Sequence, residues 1–217
     1  MRESIYLTRE AEKAGADGIL LVTPYYNKPS QEGMFRHFQA IAEATSLPIM
    51  LYNIPGRSVV NLSVETIVRL SEIHNIVSIK EASADLDAMA KIIDQTPDHF
   101  TLYSGDDSLT LPVMAIGGNG VVSVASHIIG NEMQAMINHY KDGNNQLASA
   151  SHRHLLPIMK ALFSAPNPTP VKAALHLIGM AEQHVRLPLT TLDEEELQAL
   201  QIALGMQNSV KQEAAGY

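Results

Sequence analysis

The stretch Asn75-Ile76-Val77-Ser78-Ile79-Lys80 decides the reading of this chain. It is a short apolar run with one ammonium at its C-terminal tip, and it reads as a buried strand. Burying a lysine as a cation is costly, so an apolar strand that carries one to its end points to a neutral amine. A neutral amine is a nucleophile for carbonyl carbon. Two further segments share this build. Pro48-Ile49-Met50-Leu51-Tyr52 ends in a phenol, and Gly18-Ile19-Leu20-Leu21-Val22 leads into Thr23-Pro24-Tyr25-Tyr26. Polar groups at the tips of successive apolar strands predict an active site on one rim of a parallel sheet or barrel.

Outward from this run, strand and helix patterns alternate. Residues 3–14 predict an amphipathic helix with Ile5, Leu7, Ala11 and Ala14 on or near one face and Gly15 just past its end. Strands are predicted at 18–22, 48–52, 76–80, 100–104 and 120–124. The helices between them start at Ser30 with Gly33, at Ser63, whose side chain can cap free backbone N–H groups, and near Asp85. A short helix carries Leu109, Leu111, Val113 and Met114. After residue 125 only helices are predicted, at 127–141, 145–162, 169–178 and 193–203, followed by a polar tail from Gly205 that frays. Five strands in a β/α rhythm that opens on a helix leave two readings. One is an open doubly wound sheet; the other is a β/α barrel short of its first strands.

Composition narrows the function. With 217 residues, 46% of them hydrophobic, the chain can build one sizeable core and a small appendage. A net charge of −8 without any basic run argues against a nucleic-acid partner. The absence of cysteine excludes disulfides, thiolate metal sites and a cysteine nucleophile, and fits a reducing cytoplasm. The N-terminus has no apolar signal core, and no stretch approaches the roughly 18 apolar residues of a membrane span. A soluble, cytoplasmic protein is expected.

The strand ends carry a resemblance. Pro24-Tyr25-Tyr26-Asn27-Lys28-Pro29, Leu51-Tyr52-Asn53-Ile54-Pro55-Gly56-Arg57, Ile79-Lys80-Glu81-Ala82-Ser83 and Ser104-Gly105-Asp106-Asp107 are similar in order and spacing to the dihydrodipicolinate synthase family. So are Gly117-Gly118-Asn119-Gly120-Val121-Val122-Ser123 and Asn167-Pro168-Thr169-Pro170-Val171-Lys172. The resemblance implies an α/β fold of the TIM (β/α)8 type. It also implies that about the first three strands are lacking here, together with the family's Gly-Thr-Thr-Gly-Glu segment. Residues 1–142 would form the partial barrel, from its third helix to its eighth strand and helix, and 143–217 a C-terminal helical domain.

It further implies condensation of pyruvate with L-aspartate 4-semialdehyde to 4-hydroxy-tetrahydrodipicolinate, in diaminopimelate and lysine biosynthesis. The reaction would need no cofactor beyond a covalent pyruvate imine on Lys80. Tyr52 matches the proton donor and acceptor beside that lysine. Tyr26 matches the relay tyrosine that reaches a neighbouring subunit of a homotetramer. Arg57 matches the arginine that holds the semialdehyde carboxylate, and Val122 a position whose backbone borders the pyruvate. Glu3 and Tyr25 match positions of a lysine-feedback pocket. The alternatives are N-acetylneuraminate lyase, a 2-keto-3-deoxy sugar acid aldolase, or an inactive partial barrel that aggregates or takes a partner. Gly56-Arg57 favours the synthase over its sister enzymes.

Each of these residues also has a plainer reading. Lys80 could snorkel at the strand end, paired with Glu81 or Asp107; Tyr52 could be a satisfied core tyrosine; Arg57 could sit in a loop salt bridge. Tyr25 and Tyr26 suit subunit packing. Asp106-Asp107 reads as a cap rather than a metal site. His152 and His154 lie two apart on a helix and face apart, so no metal is expected there.

Overall fold

The computed structural model describes residues 1–206; the polar tail from 207 on lies outside them. The chain divides into two compact units, Met1–Val122 and one beginning at Ser123.

The first unit is a five-stranded parallel sheet in strict sequence order. Its elements are α1 (Arg2–Lys13), β1 (Ile19–Val22), α2 (Gln31–Ala42), β2 (Ile49–Asn53), α3 (Pro55–Ser58), α4 (Val64–Ser71), β3 (Ile76–Glu81), α5 (Leu86–Gln95), β4 (Thr101–Ser104), α6 (Thr110–Ala115) and β5 (Gly120–Val121). A 3-10 turn at Asp107–Leu109 precedes α6. The predicted cap at Ser63 forms, and two further helix starts are capped in the same way. Ser30 Oγ accepts from Gly33 N, Ser63 Oγ from Thr66 N, and Asp85 Oδ1 from Ala88 N. The amphipathic expectation for α1 holds only in part: Thr8 is its buried residue and Leu7 is exposed. The four-residue α3, with Pro55 in its first turn, was not foreseen. Strand β5 is shorter than the predicted 120–124, because Ser123 already serves the next helix by accepting from Ser126 N at 2.8 Å.

The two faces of the sheet differ. Ile49, Leu51, Ile76, Ile79 and Leu102 pack beneath the helices with Phe38, Ile67, Leu70, Met89 and Ile92. On the opposite face Leu20 is 50% exposed and Val22 42%, while Tyr52, Lys80 and Tyr103 are half-buried. A register shift in β3 assigns residues to these faces. Ile49 pairs with Ile76, but Met50 pairs with Ser78, so Val77 is an extra residue. In a regular strand Ile76 and Lys80, four apart, would share a face. One bulged residue breaks that parity. It leaves both Ile76 and Ile79 in the core and turns Lys80 to the open face, opposite Tyr52.

The second unit holds α7 (Ser126–Lys141), α8 (Asn145–Ala161), α9 (Thr169–Leu177) and α10 (Glu194–Ala203). Asp193 and Glu196 form a reciprocal capping box on α10. The sequence rhythm assigns α7 to the barrel, with a boundary at 142/143; the compact division instead falls at Val122/Ser123, because α7 packs along α8. Among the described residues no helix is long and apolar enough to cross a membrane.

This facial assignment is testable by urea denaturation. Ile79→Ala, at a fully buried position, is expected to cost about 2–5 kcal/mol. Leu20→Gln on the open face is expected to change stability by less than about 0.5 kcal/mol.

Candidate active site

Five strands bring one residue each into a single row. The paired register runs from Val22 to Tyr52 to Lys80 to Tyr103 to Gly120, so the phenol and the amine project from adjacent strands onto one face. Lys80 Nζ sits 4.3 Å from the centroid of the Tyr52 ring. Burial pushes the Lys80 amine below the ordinary lysine value, and the Asp107 carboxylate pulls it partly back. Burial pushes the Tyr52 phenol up, opposed by the Arg57 guanidinium. Burial thus shifts each group toward its neutral form, the direction that suits a nucleophilic amine beside a proton donor.

Arg57 occupies α3, directly beyond the tip of β2, and among the described residues no carboxylate forms an ion pair with it. The salt-bridged reading of Arg57 therefore finds no partner. Glu81 does not pair with Lys80 either. Its carboxylate lies on the other face, where Oε2 accepts from Asn53 Nδ2 at 2.9 Å and Oε1 from Ser83 N at 2.7 Å. Asp106 is a cap, as expected: Oδ1 accepts from Ser108 N and Ser108 Oγ.

Gly105 owes its identity to this geometry. A Cβ there would lie 2.7 Å from Ala82 Cβ and 3.2 Å from Lys80 Cε. Only a glycine lets the β4 tip pass so close to the lysine stem.

The remaining predicted residues lie elsewhere on the first unit. Val122 follows β5, its N–H donating to Ser104 O at 2.9 Å beside the strand tips. Tyr26 stands in the loop after β1 with a left-handed backbone (φ 35°) and 93% of its surface exposed. It lines a hollow of about 590 Å³ with Met1, Ser4, Thr23, Tyr25 and Arg36, and this hollow is separate from the Lys80–Tyr52 pair. Glu3 lies in the first turn of α1, one residue from Ser4 of that hollow. Sequence reasoning overlooked Tyr103, which shares the register row of Lys80, and the buried pair Asn53–Glu81. Each directly follows a strand-tip residue that it did single out or lies in register with one, which is the signal that could have found them.

Comparison with known proteins gives a consistent result. The profile of the dihydrodipicolinate synthetase family matches residues 1–207. A 4-hydroxy-tetrahydrodipicolinate synthase of Halalkalibacterium halodurans is 63% identical over 206 residues, covering 95% of this chain and 70% of that protein. The enzyme of that name from Bacillus subtilis is 60% identical over 196 residues, covering 90% and 68%. The crystal structure of a dihydrodipicolinate synthase from Bacillus anthracis superposes with a TM-score of 0.91 at 56% identity, covering 93% of this chain and 69% of that one. That of the Cyanidioschyzon merolae enzyme with lysine bound gives 0.91 at 49%, covering 94% and 71%. With its matched strand tips, parallel sheet and lysine–tyrosine pair, the chain belongs to the dihydrodipicolinate synthetase family.

Proposed function

We propose that this protein condenses pyruvate with L-aspartate 4-semialdehyde to give 4-hydroxy-tetrahydrodipicolinate, through an imine on Lys80. The observation that carries the reading is the Lys80 amine held over the Tyr52 ring at paired strand tips. The names of the two bacterial relatives select the synthase over the lyase and aldolase alternatives.

The chemistry follows from the groups present. The neutral amine of Lys80 attacks C2 of pyruvate to form a carbinolamine. Tyr52 donates a proton to the departing hydroxyl, and water leaves as the imine forms. The protonated imine nitrogen is an electron sink, so a C3 proton can be removed to give an enamine without a cofactor. The enamine carbon attacks the aldehyde carbon of the semialdehyde, whose carboxylate Arg57 receives in its planar fork. The amine of the semialdehyde then displaces Lys80 from C2, closing the ring and freeing the enzyme. Backbone at Val122 borders the pyruvate, and Tyr26 serves the proton relay of a neighbouring subunit. Its 93% exposure in one chain supports that role, since such a tyrosine needs a partner to cover it.

In the same proposal the five strands belong to a (β/α)8 barrel with a C-terminal helical domain, and the enzyme works in the cytoplasm as a homotetramer. The half-exposed apolar residues Leu20 and Val22 fit an inner barrel face that further strands cover. Glu3 and Tyr25 contribute to a lysine-feedback pocket. The hollow beside Tyr25 and the lysine bound by the Cyanidioschyzon enzyme support this.

The first half-reaction gives the direct test. Pyruvate with borohydride is expected to leave one reduced pyruvyl adduct on Lys80, read by peptide mass spectrometry; an adduct on a different lysine would overturn the reading. Tyr52→Phe should slow trapping by about 10²–10⁴-fold. Asp107 favours the ammonium form, so Asp107→Asn should move the midpoint of the pH–trapping profile to lower pH. Gly105→Ala should both slow trapping and cost about 1–3 kcal/mol in a thermal melt, through its contact with Ala82 and the Lys80 stem.

A further inference from the structure

We infer that the hydrogen bond between Asn53 and Glu81 is a register pin: it holds β3 on β2 in the bulged alignment and so keeps the Lys80 amine over Tyr52. Asn53 and Glu81 are then positioning residues, and their functional meaning rests on the reaction proposed above.

Two alignments of β3 on β2 compete. If the pairing of Ile49 with Ile76 continued without a shift, Tyr52 would face Ile79 and Asn53 would face Lys80. The lysine would then join the helix-packed face. A parallel ladder satisfies backbone groups in either alignment, so side chains must choose between them. On the core face the choice falls to Ile76 and Ile79, both buried only because Val77 bulges. At the strand tips it falls to Asn53 and Glu81, which stand directly opposite each other only in the shifted register.

Their contact is the one side-chain to side-chain hydrogen bond joining β2 to β3 among the described residues. Both ends are anchored. Asn53 Nδ2 also donates to Asn61 Oδ1 at 2.7 Å, and its Oδ1 accepts from Leu62 N at 3.1 Å. Glu81 accepts from Ser83 N through its other oxygen. Asn53 and Glu81 immediately follow Tyr52 and Lys80, so the pin lies on the back of the sheet one residue beyond the reacting pair. At 2% exposure Glu81 is a costly residue for mere filling. A buried polar pair that specifies alignment is a better-attested use of such groups than stability.

The test uses Glu81→Met, which has no oxygen to accept from Asn53 Nδ2, and, in case that variant does not fold, Asn53→Ser, whose side chain is too short to reach Glu81. The first readout needs no activity. The ε-methylene NMR resonance of Lys80, identified by its loss in Lys80→Met, is expected to lie upfield under the Tyr52 ring. Tyr52→Leu marks its position without the ring. In either pin variant the resonance should move to that unshifted position. The second readout is pyruvate trapping by borohydride, which should slow by about tenfold or more at saturating pyruvate. Half-saturating pyruvate should stay within about twofold, since positioning acts on the bond-forming step. Unaltered resonance and trapping in the pin variants overturn the inference. So does slowed trapping with the resonance in place, because the loss would not then arise from position. A parent protein that forms no pyruvyl adduct on Lys80 refutes the proposed function alone, and the resonance still decides the pin.

Discussion

The structure depends on the face to which the Lys80 side chain turns. An amine at the tip of a strand packed under helices would be desolvated without a partner, at a cost of several kcal/mol if it stayed charged. On the open face it is half-buried, lies over an aromatic ring and feels one carboxylate. That intermediate setting weakens the proton's hold without withdrawing the amine from the open face. The extra residue Val77 provides it: the apolar residues on either side stay in the core while the lysine crosses to the other surface.

Much of this was legible in the chain. Helix starts at Ser30, Ser63, Asp85 and Asp193 are local events, settled by a side-chain oxygen and a backbone N–H three residues on. Strands at Ile19, Ile49, Ile76 and Thr101 follow from apolar runs between turns, and Lys80 and Tyr52 were found because charge and phenol end those runs. The bulge was not legible. Ile-Val-Ser-Ile-Lys suits either parity, and only the pairing with β2 and the helix layer above decides between them. The fate of Glu81 was hidden for the same reason. Beside Lys80 it looked like an ion-pair partner, whereas the sheet sends it to the opposite face. The short α3 escaped notice because four residues carry no periodicity, although Pro55 marks its start.

The sheet's two surfaces also explain why tyrosines recur around the site. Tyr52 and Tyr103 line the open face beside Lys80, and Tyr25 and Tyr26 lie in the loop beyond β1. A phenol tolerates such half-wet positions, where one end is packed and the other requires a hydrogen-bonding partner. The same partial exposure that suits proton transfer leaves Leu20 and Val22 in contact with solvent. The open face therefore leaves two kinds of surface partly exposed, the apolar side chains of β1 and the phenols at the strand tips.

Because Val77 is the residue that β3 carries beyond its pairing with β2, its position has an unusual tolerance profile. Exchanging Val77 for another β-branched residue changes one side chain. Losing its codon would leave a regular ladder in which Ile76 and Ile79 still share the core face and the amine still meets Tyr52. In this family the segment between Ile76 and Lys80 should therefore tolerate the loss of that one residue, whereas exchanging Ile79 with Lys80 would turn the amine toward the helices.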